Sequence, residues 1–209
     1  MAVLAASCQS SVPKPEIKVN ENYKFEISKC EYKYYGKIFC LGGDIQELVD
    51  VFGPYNRYIP RADAYVWDSM GIGVLCHHIT EKTSEMTICF DCCEWIEPDD
   101  KESALPFNCF QGSILLEGIP FGNGITVDQL NNSLKAKGSE LKFSYWPIMK
   151  DYNYEYDCEY DEVKSELISD QNHAFIIRPN SPKTYAFFTI SDSREHKRLE
   201  SEVKVKSDR

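Results

Sequence analysis

Three cysteines, Cys89, Cys92 and Cys93, form the densest group of side chains that could hold a metal or carry out redox chemistry. A zinc site needs two such pairs, or one pair with nearby histidines, on turns that let the ligands converge. These cysteines instead occupy a segment with strand-like alternation, in which successive side chains face opposite ways. We therefore predict no metal site, no redox-active dithiol and no cofactor, and expect structural disulfides or buried thiols.

The adjacent histidines His77 and His78 also lie in a strand pattern, which predicts one inward and one outward imidazole. The chain contains no Gly-x-Ser-x-Gly, His-Glu-x-x-His or Walker motif. We predict no catalytic residues and a protein that is not an enzyme. A hydrolase assembled from distant residues is the less favoured alternative.

The most unusual segment covers residues 151–162, with six acidic residues, four tyrosines and no Lys or Arg. Tyrosine offers a large contact area at low entropy cost, and exposed carboxylates attract a basic partner. The same alternation suits an edge strand whose tyrosines pack inward and whose acids face outward, and the two interpretations are compatible. A calcium site is a weaker third interpretation, since the segment lacks the glycine and bidentate Glu of the calcium loop motif. The predicted partner-binding residues are Asp151, Tyr152, Tyr154, Glu155, Tyr156, Asp157, Glu159, Tyr160 and Asp161.

The N-terminal residues indicate export. A short apolar run and small residues lead to Cys8, and a polar tether follows. This pattern resembles the end of a bacterial lipoprotein signal, whose cysteine becomes the lipidated first residue. We predict lipidation at Cys8 and a periplasmic location, with a cytoplasmic protein as the alternative. The other eight cysteines then either pair in an oxidising compartment or remain as buried thiols.

The overall charge restricts the class of partner. The 209 residues include 23 Lys and Arg against 33 Asp and Glu, which gives a formal net charge of −10. Phosphate backbones and anionic membrane surfaces repel such a chain, so we predict no nucleic-acid partner and no membrane contact beyond a lipid anchor. No stretch approaches the ~20 apolar residues that a membrane-spanning helix needs. A basic protein surface is the partner that the composition favours.

Hydrophobic periodicity predicts two short helices, 45–52 capped by Asp44 and 127–134 capped by Thr126. A strand with a glycine turn precedes each helix, and hairpin strands follow it. We therefore predict an α+β fold of two repeated strand–helix–hairpin units on a mainly antiparallel sheet. The units are a tether over 1–20, a first unit over 21–100 and a second over 101–209 with a charged C-terminal tail. The predicted strands cover residues 23–30, 35–43, 64–68, 72–78, 86–95, 112–120, 141–148, 174–178 and 185–190.

Segments 44–54 and 65–72, a helix with its Gly-Pro stop and the Tyr-Val-Trp-Asp hairpin, resemble a domain found among bacterial immunity proteins. Residues 110–120 resemble the repeat of that domain. Such proteins neutralise toxins that type VI-like or contact-dependent secretion systems deliver to competing cells. The same order of elements is similar to small periplasmic inhibitor and outer-membrane-assembly lipoproteins. The resemblance covers about residues 22–150, carries over no functional residues, and leads us to expect Trp67 in the core.

The resemblance implies a protein that binds another protein. We predict an immunity protein that occludes the active site of one cognate antibacterial toxin with a basic surface. A toxin that acts in the periplasm would be a lipase or a peptidoglycan hydrolase. A structural or assembly lipoprotein of the cell envelope is the alternative, ahead of the hydrolase.

Overall fold

A computed structural model describes residues 24–29, 31–78, 80–91, 101–156, 173–181 and 184–192. The predicted tether over 1–20, Cys8, the cysteine pair Cys92 and Cys93, and the charged tail after residue 192 lie outside these residues. Within the described ranges the chain forms thirteen strands and two helices. Their bounds, in chain order, are β1 (Lys24–Ser28), β2 (Glu31–Tyr34), β3 (Lys37–Phe39), α1 (Ile45–Phe52), β4 (Arg57–Ile59), β5 (Ala64–Trp67), β6 (Ile72–Cys76), β7 (Thr83–Cys89), β8 (Ser113–Leu116), β9 (Ile119–Phe121), α2 (Val127–Ala136), β10 (Ser144–Trp146), β11 (Asp151–Tyr156), β12 (His173–Ser181) and β13 (Thr184–Asp192).

The strands form two sheets. The smaller sheet has five strands in the order β3-β2-β1-β8-β9, and the larger has eight in the order β10-β11-β12-β13-β7-β6-β5-β4. Every neighbouring pair in the larger sheet is antiparallel. In the smaller sheet β1 and β8 run parallel. This parallel pair joins strands from opposite halves of the chain.

The predicted α+β repeat is wrong, because the described chain is mainly β. Both helices were placed correctly, but they contribute only eight and ten residues. The sheets also do not divide the chain into two copies of one unit. Pairing of β1 with β8 and of β7 with β13 gives each sheet strands from both sides of residue 100. These long-range pairings, which local patterns do not reveal, determine the fold class.

Alternating apolar residues place one face of each sheet in a shared core. Phe25 and Ile27 of β1 are buried, and Met86 and Ile88 of β7 are fully buried in the larger sheet. Aromatic contacts join the two layers, among them Tyr32 with Phe175 at 6.4 Å and Phe121 with Phe188 at 5.6 Å between ring centroids. Trp67 is also in this core, as expected, and its Nε1 donates to the Gly53 carbonyl at 2.8 Å.

The two helices begin in different ways. Thr126 caps α2 as predicted, in a capping box in which it accepts from the Gln129 N–H while the Gln129 side chain accepts from the Thr126 N–H. Asp44 stands at the N-cap of α1, but its side chain makes no capping hydrogen bond. An isolated β-bridge pairs Asp44 with Lys82, and the carboxylate accepts from Lys82 Nζ at 2.7 Å instead. The predicted side-chain cap at Asp44 is therefore wrong.

Arg57 of β4 and Asp68, which follows β5, form a largely buried ion pair. Arg57 Nε lies 2.7 Å from Asp68 Oδ2, and Nη2 donates to Asp68 Oδ1 at 2.9 Å. The guanidinium lies 4.0 Å from the centre of the Phe107 ring, and the Phe107 N–H donates to Asp68 at 2.8 Å. The pair therefore fastens the 101–107 loop to the sheet. The remaining guanidinium hydrogens reach the carbonyls of Lys101, Ser103 and Leu105.

We expect Asp68→Asn to lower the free energy of unfolding by about 2–3 kcal/mol, because it leaves a mostly buried guanidinium without its counter-charge. Chemical denaturation of the wild-type chain and the variant measures this change. Glu102→Gln is the matched control, because the exposed Arg61–Glu102 pair is 4.0 Å long and should contribute under ~0.5 kcal/mol. Equal effects of the two substitutions would contradict the role given to Asp68.

The outer face of the larger sheet buries a small polar group. Thr87 and Thr189 face each other across β7 and β13, with their hydroxyl oxygens 3.0 Å apart. The Thr87 hydroxyl also lies 3.4 Å from Glu85 Oε1. Burial raises the pKa of Glu85 above its usual range, and the Thr87 hydrogen bond offsets part of this increase.

This raised pKa predicts a pH dependence of stability. Between the lower pKa of the unfolded chain and the higher pKa of the folded chain, only the folded state retains the Glu85 proton. The free energy of unfolding should therefore fall, relative to Glu85→Gln, as the pH rises from about 4 through the folded pKa. Urea titrations of both proteins at several pH values measure the difference. A difference that is constant, or that grows with pH, contradicts the prediction.

Candidate functional site

The predicted partner-binding segment begins with β11. Its interpretation as an edge strand is wrong, because β10 forms the edge of the larger sheet and β11 lies one strand inside it. Tyr152 and Tyr154 are half-buried and pack against the core. The structure therefore confirms the inward-packed tyrosines for these two residues. Glu155 and Tyr156 complete the strand, whereas Asp157, Glu159, Tyr160 and Asp161 lie outside the described residues.

Asp151 cannot serve as an exposed contact residue, so its assignment to the binding surface is corrected. It is only 3% exposed. Its carboxylate forms an ion pair with Arg178 of β12, through Nε and Nη2 of the guanidinium. Arg178 lies 5.4 Å from the centre of the Phe187 ring on the next strand. The face that the alternation predicted to be acidic and outward is thus partly neutralised and covered here.

The sequence interpretation missed an exposed apolar surface beside β11. Strand β10 forms the outer edge of the larger sheet, and a four-residue turn connects it to β11. Four large apolar side chains of this hairpin are exposed, and we call them the hairpin patch: Tyr145 (52%), Trp146 (46%), Ile148 (82%) and Met149 (48%). Pro147 was the available signal, because a proline inside the predicted strand 141–148 ends the pairing and starts a turn.

A second candidate site lies at the other end of the same sheet. The β4–β5 hairpin, the start of α1 and the turn after β6 surround a groove of about 780 Å³. We call it the tyrosine groove, because Tyr58 and Tyr65 lie directly opposite each other on β4 and β5, with ring centroids 4.7 Å apart. The polar side chains of the lining include Asp44, Asp63, Cys76, His78 and Glu81.

The tyrosine groove is negatively charged, because its lining contains the carboxylates of Asp44, Asp63 and Glu81 against one guanidinium, that of Arg61. The Tyr58 hydroxyl donates to Asp63 Oδ1 at 3.1 Å, and this hydrogen bond is the main cause of the raised Tyr58 pKa. Burial raises the pKa of Tyr65 to about 12. Burial, with the charges of Asp63 and Glu81, also raises the pKa of Cys76 to about 12. Cys76 is therefore a neutral thiol near pH 7 and a weak nucleophile.

The histidines and the cysteines show no reactive arrangement in the described ranges. His77 is buried and His78 is exposed, but both follow β6 instead of lying in it, and their rings stack with centroids 5.0 Å apart. The predicted divergence of the two imidazoles across a strand is therefore wrong. Cys76 and Cys89 are buried thiols outside any disulfide, which is one of the two states that the sequence left open. No group of three or more His, Cys, Asp or Glu side chains in the described ranges is arranged to hold a metal ion.

Neither described helix is long and apolar enough to cross a membrane. The chain belongs to the DUF7738 family, a domain of unknown function, which matches residues 24–144. That match covers the smaller sheet, the tyrosine groove and the 101–107 loop. No curated protein and no solved structure matches the chain significantly.

Proposed function

We propose that this DUF7738 protein binds and inhibits an antibacterial toxin, and that the hairpin patch is its main contact surface. The observation that carries the proposal is the exposure of four large apolar side chains on one edge hairpin, Tyr145, Trp146, Ile148 and Met149. Tyr145 lies opposite Tyr152 and Trp146 opposite Asp151, so the two face opposite sides of the sheet and a partner would grip the edge from both sides. Grouped apolar side chains of this size are a common mark of protein–protein contact. Tryptophan and tyrosine are also the residue types that most often dominate binding energy.

The fold holds the patch in place before binding. β10 pairs with β11, and the Tyr145 ring packs 5.2 Å from the Tyr152 ring. Tyr152 in turn packs against the core. A surface ordered in this way loses little entropy when a partner binds, which favours the tight complex that inhibition requires.

Charge supports a basic partner. The chain carries a net charge of −10, and residues 157–162, directly after β11, contain four further acids, Asp157, Glu159, Asp161 and Glu162. A net negative charge accelerates association with a basic protein and makes the rate sensitive to salt. The resemblance of segments 44–54 and 65–72 to immunity-protein domains supports a toxin as that partner, and occlusion of its active site as the mode of inhibition.

The proposal includes a periplasmic location with a lipid anchor at Cys8. A toxin met in the periplasm would act on lipid or peptidoglycan. Cys8→Ala should move the protein from the membrane fraction to the soluble periplasmic fraction of its host. Recovery of the wild-type protein from the cytoplasm would contradict this part of the proposal alone.

The hairpin patch is tested with a matched pair of substitutions. Ile148→Ser and Ile38→Ser remove the same side chain from exposed positions, 82% and 60% exposed, in different sheets. We expect Ile148→Ser combined with Trp146→Ser to weaken partner binding by at least about 30-fold, since ~2 kcal/mol is typical for the loss of binding hot spots. Ile38→Ser should bind as the wild-type chain does.

The measurement starts with wild-type bait in native host lysate and identifies the captured proteins by mass spectrometry. The captured partner should stop growth when it is expressed alone. Co-expression of the wild-type chain or Ile38→Ser should restore growth, and the double variant should fail to do so. Capture of envelope-assembly components, or equal protection by the double variant, would overturn the proposal.

A further inference from the structure

We propose that the tyrosine groove binds a small organic cation, whose guanidinium or ammonium group lies against the contacting pair of Tyr58 and Tyr65 rings and faces the carboxylates of Asp63 and Glu81. This site is separate from the proposed toxin contact. The groove involves β4 and β5, whereas β10 forms the opposite edge of the eight-stranded sheet. At about 4.8 Å per strand, the two sites lie roughly 30 Å apart.

The size of the groove suits a small molecule. Its volume of about 780 Å³ falls within the ~300–1,000 Å³ common for ligand pockets. Three separate elements surround it, namely the β4–β5 hairpin, the first residues of α1 and the turn between β6 and β7. A backbone hydrogen bond from the Cys76 N–H to the Asp63 carbonyl, at 2.8 Å, ties two of these elements together.

The tyrosine rings supply a surface that attracts cations. Tyr58 is 43% exposed, so its ring remains available at the groove, while its hydroxyl is fixed on Asp63. The ring is inclined by 34° to that of Tyr65. The face of an aromatic ring attracts a cation, and a planar guanidinium can also stack on it.

The carboxylates make this attraction specific for positive charge. Asp63 and Glu81 each raise the pKa of both the Cys76 thiol and the Tyr58 hydroxyl, so the fields of these carboxylates overlap within the groove. Glu81 makes no ion pair with any residue that the structure describes. An organic cation would supply the counter-charge that these two carboxylates lack.

Neither of the two basic side chains close to the groove, Lys82 and Arg61, forms an ion pair with Asp63 or Glu81 in the described ranges. Lys82 Nζ lies 2.7 Å from Asp44, the third carboxylate of the lining. Arg61 contributes to the lining, but its side chain is 88% exposed and its guanidinium pairs with Glu102 at 4.0 Å. The start of α1 would otherwise favour an anion, but the Asp44 carboxylate already stands there.

A buried thiol adds a second feature to the wall. Cys76 is only 8% exposed, lines the groove and forms no disulfide. Because its pKa is raised to about 12, it presents an uncharged, polarisable sulfur near pH 7. This sulfur gives the alkyl part of an organic cation a neutral contact beside the carboxylates.

The probe is butylguanidine, with butylurea as an uncharged analogue of nearly the same shape. Isothermal titration of the 209-residue chain at low salt should give a dissociation constant for butylguanidine below about 1 mM. Butylurea should bind at least about tenfold more weakly, because it has no positive charge to pair with the carboxylates and forms only neutral-donor hydrogen bonds to them. The thermal melting curve of each variant shows whether it is folded.

Variants separate the groove from general charge attraction. Glu81→Gln should weaken butylguanidine binding at least about tenfold. Tyr58→Leu should weaken it about threefold through the loss of a cation–π contact. Glu140→Gln removes the same charge from an exposed position outside the groove and should bind normally. If Glu81→Gln does not fold, Asp63→Asn removes the other carboxylate of the groove and tests the same requirement for negative charge.

Three results would overturn the proposal: a dissociation constant for butylguanidine above about 1 mM, equal binding of butylurea, or equal weakening by Glu140→Gln and Glu81→Gln. The double variant Trp146→Ser and Ile148→Ser should bind butylguanidine as the wild-type chain does. Its behaviour therefore distinguishes failure of the groove from failure of the proposed toxin contact.

Discussion

The ion pair between Arg57 and Asp68 connects parts of the molecule that would otherwise be held only weakly. It joins edge strand β4 to the end of β5, and it binds the 101–107 loop across the outer face of the sheet. The loop can lie this close only because residue 73 is glycine, since a β-carbon there would be 2.6 Å from the Ala104 carbonyl oxygen. The loop then leads to Phe110, whose ring packs 5.6 Å from that of Phe25 in the main core. One charged contact thus sets the position of the tyrosine-bearing hairpin and of a loop that reaches the core.

The local elements could be predicted from the sequence, but their assembly could not. The apolar face of α1 and the glycine that follows it, and the Thr126 capping box of α2, are local features, and both helices were placed correctly. The fold class was wrong because it depends on pairings between distant strands, such as β1 with β8. Short strands such as β4 carry little pattern of their own and gain their partners only in the folded chain.

The candidate sites show the same limit. The alternation over β11 correctly indicated that Tyr152 and Tyr154 face inward, because strand periodicity fixes the side of each residue. It could not reveal that Asp151 would meet Arg178, a residue 27 positions along the chain. The tyrosine groove was also beyond a local interpretation, since Asp63 and Glu81 lie on different turns and act together only after β5 and β6 have paired. Because the Asp151 carboxylate is buried against Arg178, this part of β11 does not present the exposed acidic surface that the alternation predicted. Only the folded structure shows this contact.

The join between β7 and β13 has a consequence for how the chain is made. Strands β4 to β7 form one antiparallel meander and β10 to β13 form another, each from nearby segments. The two meet along β7 and β13, where Thr87 and Thr189 are separated by 102 positions in the chain. During synthesis the β7 edge of the first meander therefore stays unpaired until β13 has also left the ribosome. An unpaired strand edge can pair with strands of other chains, so pairing with the second meander protects the first meander from aggregation.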